Sequence, residues 1–344
     1  MVTFVLVVLA LVAWTRVVQP RAALAAVRSA PPPAVATATD APTPAVVSLV
    51  DVTATPIPTV TSVPTPAPTP TNGPTATATA RPAYYSDAWL RAHPTKAQPA
   101  ISAKAALVVD YDTRRILYAK NEHEHLAQAS TTKITLTDVA LDIASPDTPM
   151  TISKDATEVE PDHMGVQVGE TLTLQELLYG ALLDSGNDAG WAIAEGLGGL
   201  DHVVGLMNQK VLALGLHDSH YMNPVGFDDP QHYTSAYDLA VITADALNRH
   251  PLFRQIVGTK QQIIESTKTH SWFGPTNLNS LLWTYQGAWG VKPGWTDNSG
   301  YCLVAAATRN GHTVLVTLLD SNDHFADGAT LLNYGFSQLS QPSS

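Results

Sequence analysis

The chain has 344 residues, 30 acidic and 19 basic side chains, and a formal charge of −11. That length holds one large domain or two small ones, and the acidic balance excludes function through a nucleic-acid surface or a polybasic membrane face. Cys302 is the single cysteine, so no internal disulfide can form and cysteine usage leaves the redox compartment open.

In chain order, VTFVLVVLALVAW at 2–14 is apolar but short for a comfortable membrane span. It fits a signal-peptide core, and ALAA at 23–26 offers small residues for cleavage. No basic residue precedes the run, whereas Arg16 and Arg21 follow it. Residues 1–30 therefore read as a signal peptide or an N-terminal membrane anchor. Residues 31–83 are rich in Pro, Thr, Ala and Val. Frequent prolines remove backbone donors and block helix and sheet ladders, which predicts a disordered, extended spacer. Fifty such residues reach on the order of 150 Å at about 3.1 Å each. An export signal and a stiff tether predict an extracytoplasmic domain, secreted or membrane-tethered at the cell wall. The acidity lies beyond the spacer, because residues 1–82 hold only Asp40 and Asp51 against four arginines.

From residue 84 to 344 the pattern is globular. AALVVDYDTRRILYAKN at 105–121 alternates around a polar turn and predicts a hairpin. A helix follows from Ser130, carrying Ile134, Leu136, Val139, Ala140 and Leu141 at apolar spacing. TLTLQELLYGALL at 171–183 predicts another, opened by a capping box of Thr173 and Glu176. SGNDAGWAIAEGL breaks that helix at Gly186 and opens the next. Further helices are predicted over 200–214 and 235–249. Three strands come next, GAWGVKPGW, GYCLVAAATR and HTVLVTLLDS, the last two joined by the turn Asn310-Gly311. A helix over about 325–336 ends the pattern, and no further domain is expected after LLNYGF. Strands at both ends with helices between them predict one α/β domain whose hairpin joins a C-terminal antiparallel sheet. Cys302, inside GYCLVAAA, reads as a buried structural thiol.

Three short patterns carry chemistry: Ser130-x-x-Lys133, Ser185-Gly186-Asn187 and Lys292-Pro293-Gly294, the last followed by Trp295 and Thr296. Alone, Ser130 reads as a helix cap, Ser185 and Asn187 as a turn, and Lys292 as a solvated strand lysine. Together they allow more. Residues i and i+3 share a helix face, so Ser130 and Lys133 can touch. A serine hydroxyl becomes a nucleophile when a neighbouring base takes its proton. Lysine serves as that base if burial and a nearby positive charge, such as Lys292, lower its pKa. A backbone N–H at the helix start stabilises developing negative charge.

These motifs, with LLYGALLDSGNDA, YMNPVGFDDPQHYTSAYDLA, NLNSLL and GVKPGWTDNSGYCLVAAATRNGH around them, resemble the serine D-Ala-D-Ala carboxypeptidases. These are low-molecular-mass penicillin-binding proteins related to the serine β-lactamases. The resemblance, over about 84–336, implies an antiparallel sheet packed by helices with an additional all-helical region. It implies Ser130 as nucleophile, Lys133 as base and Ser185 as a proton relay toward the leaving amine. Asn187 would orient Lys133 and grip the substrate backbone. Lys292 and Gly294 would complete the substrate strand, Lys292 attracting the terminal carboxylate and the Thr296 hydroxyl helping. The second oxyanion donor would be the Trp295 N–H. The implied partners are peptidoglycan stem peptides ending in D-Ala-D-Ala and β-lactam antibiotics, with no cofactor. Cleavage of cross-links by the same motifs is a close variant. Pro293 departs from the family's threonine, supplies neither hydroxyl nor N–H, and predicts an edge strand. No Glu-x-x-Leu-Asn motif for deacylation is present, which disfavours a β-lactamase.

Two other readings stay open. NEHEH at 121–125 and HDSH at 217–220 could suggest zinc, but neither has metallopeptidase spacing and both fall in predicted loops, which favours solvated histidines. His232 aligns with a histidine of the family's loop and reads as structural. Pro293 and the long tether also suit a catalytically weak wall-binding or penicillin-sensing module.

Overall fold

The computed structural model describes residues 84–94 and 98–340; the expected leader and the spacer lie outside them. Helix α1 (Ala88–Ala92) precedes the hairpin of β1 (Ala105–Asp110) and β2 (Arg115–Lys120). A 3₁₀ turn at Ala129–Thr131 leads into α2 (Thr132–Ile143). Next come β3 (Pro149–Thr151), α3 (Lys154–Thr157), β4 (Thr171–Thr173), α4 (Leu174–Leu183) and α5 (Asn187–Gly196). Helices α6 (Leu200–Ala213), α7 (Ala236–Arg249), α8 (Pro251–Gly258) and α9 (Leu281–Thr284) complete the helical stretch. The chain returns through β5 (Ala288–Thr296), β6 (Gly300–Arg309) and β7 (His312–Ser321), and closes on α10 (His324–Leu339).

The main sheet is antiparallel in the order β2-β1-β7-β6-β5, so the hairpin and the C-terminal strands form one surface, as the pattern predicted. All six residues of β1 are buried. Leu107 and Val109 join a core with α2, α4 and α7, whereas Ala106 and Val108 join one with Leu331 and Leu332 of α10. Helices thus cover both faces, which explains why β1 reads as a continuous apolar run rather than an alternation. The Asn310-Gly311 turn has positive φ at both residues, as a type I′ hairpin requires.

The Thr173–Glu176 capping box forms, and Ser235 caps α7 through the Asp238 N–H. The capping box fixes the entry of α4, whose Leu174, Leu177, Leu178 and Leu182 are buried. Burying each such side chain contributes about 1.5–3 kcal/mol. α2 is buried over Thr132–Ala140 and is the central helix of the larger core. Toward its end, Lys210 of α6 binds Asp138 at 2.9 Å, Asp142 at 3.0 Å and Asp245 at 2.7 Å. Among the described residues no helix is long and apolar enough to cross a membrane. The small β3–β4 sheet and helices α1, α3, α8 and α9 are additions to the predicted element set.

Candidate active site

Ser130 lies in the 3₁₀ turn, one residue before the Thr131 cap of α2, and no side-chain capping bond forms there. The expectation of a helix beginning at Ser130 therefore shifts by two residues, and its hydroxyl is free of a capping role. The preceding Ala129 has φ +48, in the left-handed region that L-residues rarely adopt. That turn is packed from two sides. A Cβ on Gly226 would lie 2.0 Å from the Ala129 carbonyl oxygen, and one on Gly294 would lie 2.9 Å from the Ser130 nitrogen. Glycine at 226 and 294 is what lets a loop and a strand close on the serine.

Lys133 is fully buried, and its Nζ lies 2.8 Å from Ser130 Oγ. It also donates to Asn187 Oδ1 at 2.7 Å and to the Val225 carbonyl at 3.0 Å. The Asn187 orientation is fixed because its Nδ2 donates to the Glu160 and Pro161 carbonyls, both at 2.9 Å. Burial, and then the charge of Lys292, hold Lys133 well below the ordinary lysine range. Asn187 Oδ1 and the Val225 carbonyl accept hydrogen bonds only. A neutral amine spends both protons on them and turns its lone pair to the Ser130 hydroxyl, the arrangement of a general base.

Lys292 is also buried, and burial pushes its ammonium down to about 7 against the pull of Asp162 and Asp184. Its Nζ donates to the Pro293 carbonyl at 3.1 Å. Ser185, at φ +64 in the turn between α4 and α5, lines a cavity of about 190 Å³ with Ser130, Pro293, Gly294 and His324. Among the described residues no hydrogen bond joins Ser185 Oγ to either lysine. On its other side Ser130 borders a cleft of about 910 Å³, walled by Asn187, Trp191, Phe227, Trp295 and Thr296.

β5 is an edge strand, as Pro293 predicted. Opposite Leu303 of β6, a proline is tolerated only with its nitrogen toward the free edge. Strand alternation then turns the Trp295 N–H to that same edge, beside Ser130. The Thr296 hydroxyl reaches the cleft but gives its proton to Asp228 at 2.7 Å, so an anion already holds it.

Several supports were not evident from the motifs. Asn223 Oδ1 accepts from the N–H groups of Val225, Gly226 and Phe227, shaping the loop that offers the Val225 carbonyl to Lys133. The turn composition of NPVG at 223–226 is a signal that could have found it. Asp188 accepts from the N–H groups of Met164, Gly165 and Val166, pinning the loop that carries Glu160 to Asp162. His232 is buried; its Nδ1 accepts from the Met222 N–H, so Nε2 carries the proton toward Thr132 Oγ1 at 2.8 Å. Burial pushes it down to about 4, which suits a neutral structural residue.

The two histidine stretches are not independent loops. They meet at Asp218, which bonds His123 Nδ1 at 2.7 Å and His125 Nε2 at 3.1 Å on an exposed surface. Cys302 is buried, and burial pushes its thiol up to about 12, as expected of an inert group.

Comparison with known proteins follows the same line. A family model described as D-alanyl-D-alanine carboxypeptidase matches residues 92–323. The chain is 34% identical over 247 residues to D-alanyl-D-alanine carboxypeptidase DacF of Bacillus subtilis, covering 69% of this chain and 62% of that protein. It is 30% identical over 244 residues to a D-alanyl-D-alanine endopeptidase of Pseudomonas aeruginosa, covering 68% and 77%. The crystal structure of the Streptomyces K15 DD-transpeptidase matches with a TM-score of 0.67 at 33% identity, covering 70% of this chain and 99% of that one. Matched by the family model over most of its described residues, and by a solved relative over nearly that relative's whole length, the chain belongs to the D-alanyl-D-alanine carboxypeptidase family.

Proposed function

We propose that this protein is a serine D-alanyl-D-alanine carboxypeptidase that removes the terminal D-Ala from peptidoglycan stem peptides. The observation that carries the reading is the buried Lys133 amine, 2.8 Å from Ser130 Oγ, with its other two bonds going to acceptors alone. Ser130 Oγ attacks the carbonyl carbon of the penultimate D-Ala while Lys133 takes the hydroxyl proton. The N–H groups of Ser130 and Trp295 receive the oxyanion. The C–N bond then breaks, and the leaving D-Ala amine collects a proton by way of Ser185. Water hydrolyses the Ser130 ester to release the shortened peptide. A β-lactam carbonyl enters the same sequence and acylates the same serine.

Carboxylate recognition falls to Lys292, since Pro293 has no hydroxyl and Thr296 is engaged by Asp228. Residues 1–30 act as a signal or anchor, and the spacer holds the 84–344 domain at the cell wall. Action on cross-links is the variant supported by the endopeptidase relative.

Intact-mass measurement after labelling with a fluorescent penicillin tests the nucleophile. One adduct is expected on the wild type and none on folded Ser130→Ala, together with complete loss of D-Ala release. Undiminished labelling of the mutant sinks the assignment. Labelling of the wild type without D-Ala release marks a sensor instead.

A further inference from the structure

Outside the catalytic cleft, donor atoms of Asp138, Asp142 and His250 lie within 4.8 Å of one another, but the Lys210 ammonium already serves both acids as their cation. A different cluster joins the two histidine stretches. There Asp218 has no lysine or arginine bonded to it among the described residues, and two imidazoles meet it instead. His123 Nδ1 faces one carboxylate oxygen at 2.7 Å and His125 Nε2 faces the other at 3.1 Å. Glu124, between them, turns away to Lys104 at 2.7 Å. The backbone beneath is tied to a third segment. The Tyr237 N–H donates to the Glu122 carbonyl, and Leu126 and Thr234 exchange both backbone bonds, all at 2.9 Å. The Asp218 N–H donates to Asp238 at 2.8 Å, and His220 pairs with Tyr233. The rings are seated as well: His125 stacks on Tyr233 at 4.4 Å and 8°, and His123 lies 4.9 Å from the Tyr237 ring. Side chains 93 and 95 residues apart in the chain are thus held with their polar atoms converging.

We propose that His123, His125 and Asp218 form a surface site for a divalent transition ion of the zinc type, which staples the segment entering the Ser130 turn to the loop carrying Val225. Imidazole nitrogen suits zinc, whereas magnesium and calcium take oxygen ligands. An ionised carboxylate only accepts hydrogen bonds, so each nitrogen facing Asp218 now carries the ring's proton. On binding, each ring shifts that proton to its outward nitrogen and gives the inner lone pair to the ion. The two nitrogens bond opposite oxygens of the carboxylate, so the rings turn inward to reach one ion at about 2.0–2.2 Å. Side chains 58% and 47% exposed have room to turn. Three protein ligands leave the fourth tetrahedral position to water. Asp218 belongs to the connection whose Val225 carbonyl holds Lys133, and His125 lies just ahead of Ser130, so the ion joins the supports of the nucleophile and its base.

Calorimetric titration of the untagged, chelator-stripped full-length chain with zinc chloride tests the site, with magnesium chloride as the control ion. One zinc per chain is expected, and no binding of magnesium. His123→Gln, His125→Gln and Asp218→Asn should each weaken zinc by at least about tenfold, since losing even an outer partner of a metal ligand costs about 10–100-fold. The pair His202→Gln, His312→Gln changes exposed histidines elsewhere and should leave the affinity as it is. With free zinc about a hundredfold above its Kd, the unfolding midpoint should rise by about 5–10 °C. That rise should vanish in the double variant His123→Gln, His125→Gln, whose zinc-free circular dichroism should match the wild type. Absence of saturable zinc binding overturns the proposal. So does equal binding of magnesium, zinc binding that survives in the double variant, or an equal loss in the control pair. Penicillin labelling of Ser130 is read separately, so each of those failures leaves the carboxypeptidase reading standing.

Discussion

Helix α2 carries one buried lysine near its start and receives another, from α6, toward its end. The two have been given opposite tasks by their partners. Lys133 meets a hydroxyl, an amide oxygen and a backbone carbonyl, and no carboxylate touches its nitrogen. Lys210 meets three carboxylates, with Arg249 and His250 close on the same acids. Burial would lower Lys210 as well, but bonds to Asp245, Asp138 and Asp142 outweigh it and hold the ammonium above the ordinary lysine range. Depth alone therefore does not decide whether a lysine is a base. Neutral acceptors leave Lys133 free to shed its proton, and anionic ones hold Lys210 as a structural cation.

The sharpest way to break this comparison is Lys210→Met. It leaves Asp138, fully buried, without its ammonium, and should destabilise the domain by about 3–5 kcal/mol. Penicillin acylation of the folded fraction should stay near normal. Denaturant unfolding beside a stopped-flow acylation assay checks both, and a loss under about 1 kcal/mol would mean the network is solvated.

Lys133→Arg is the complementary change. It keeps a positive charge but removes a practical base, so acylation should slow at least about a hundredfold. A near-normal rate in the folded mutant would direct attention to Ser185 as the proton acceptor.

A further effect lies in the alkaline stability profile. Lys292 titrates at about 7 in the fold against about 10.4 in the unfolded chain. Between those values the unfolded state binds more protons, so this residue makes stability rise with pH over that window. Lys210 has the opposite sign. Its folded value is raised, so its contribution is complete below about 10.4 and is lost as pH rises through the folded value. Unfolding free energies at pH 7, 8.5 and 10 should show a shallower rise in Lys292→Met than in wild type. An unchanged slope in that variant would show that Lys292 stays protonated in the fold throughout.

Much of this was legible beforehand because it is local or periodic. The 105–121 hairpin, the Thr173–Glu176 box, the Asn310-Gly311 turn and the Ser-x-x-Lys face all follow from neighbours in sequence. The proline at 293 gave the edge position of β5 for a steric reason. What stayed hidden depends on partners far apart in the chain. The Val225 carbonyl that fixes Lys133 lies 92 residues away, and Thr296 meets Asp228 over 68 residues. No periodicity encodes such pairs. The excursion at 259–280 was also missed, since single bridges such as Gln261 with Thr276 replace regular strands there. Ser130 looked like a helix cap because a 3₁₀ turn and a helix start share composition.

Pro293 has a consequence for how this protein behaves in concentrated solution. The free side of β5 is a row of backbone groups that another molecule's strand could otherwise copy. The missing N–H at 293 leaves a gap in that row between Val291 and Trp295, so a second copy cannot zip along it in register. Trp295, a residue 55% exposed, would make an uninterrupted edge stickier still. Pro293 thus guards the sheet against edge-to-edge polymerisation, and replacing it with a good strand former risks trading solubility for aggregation.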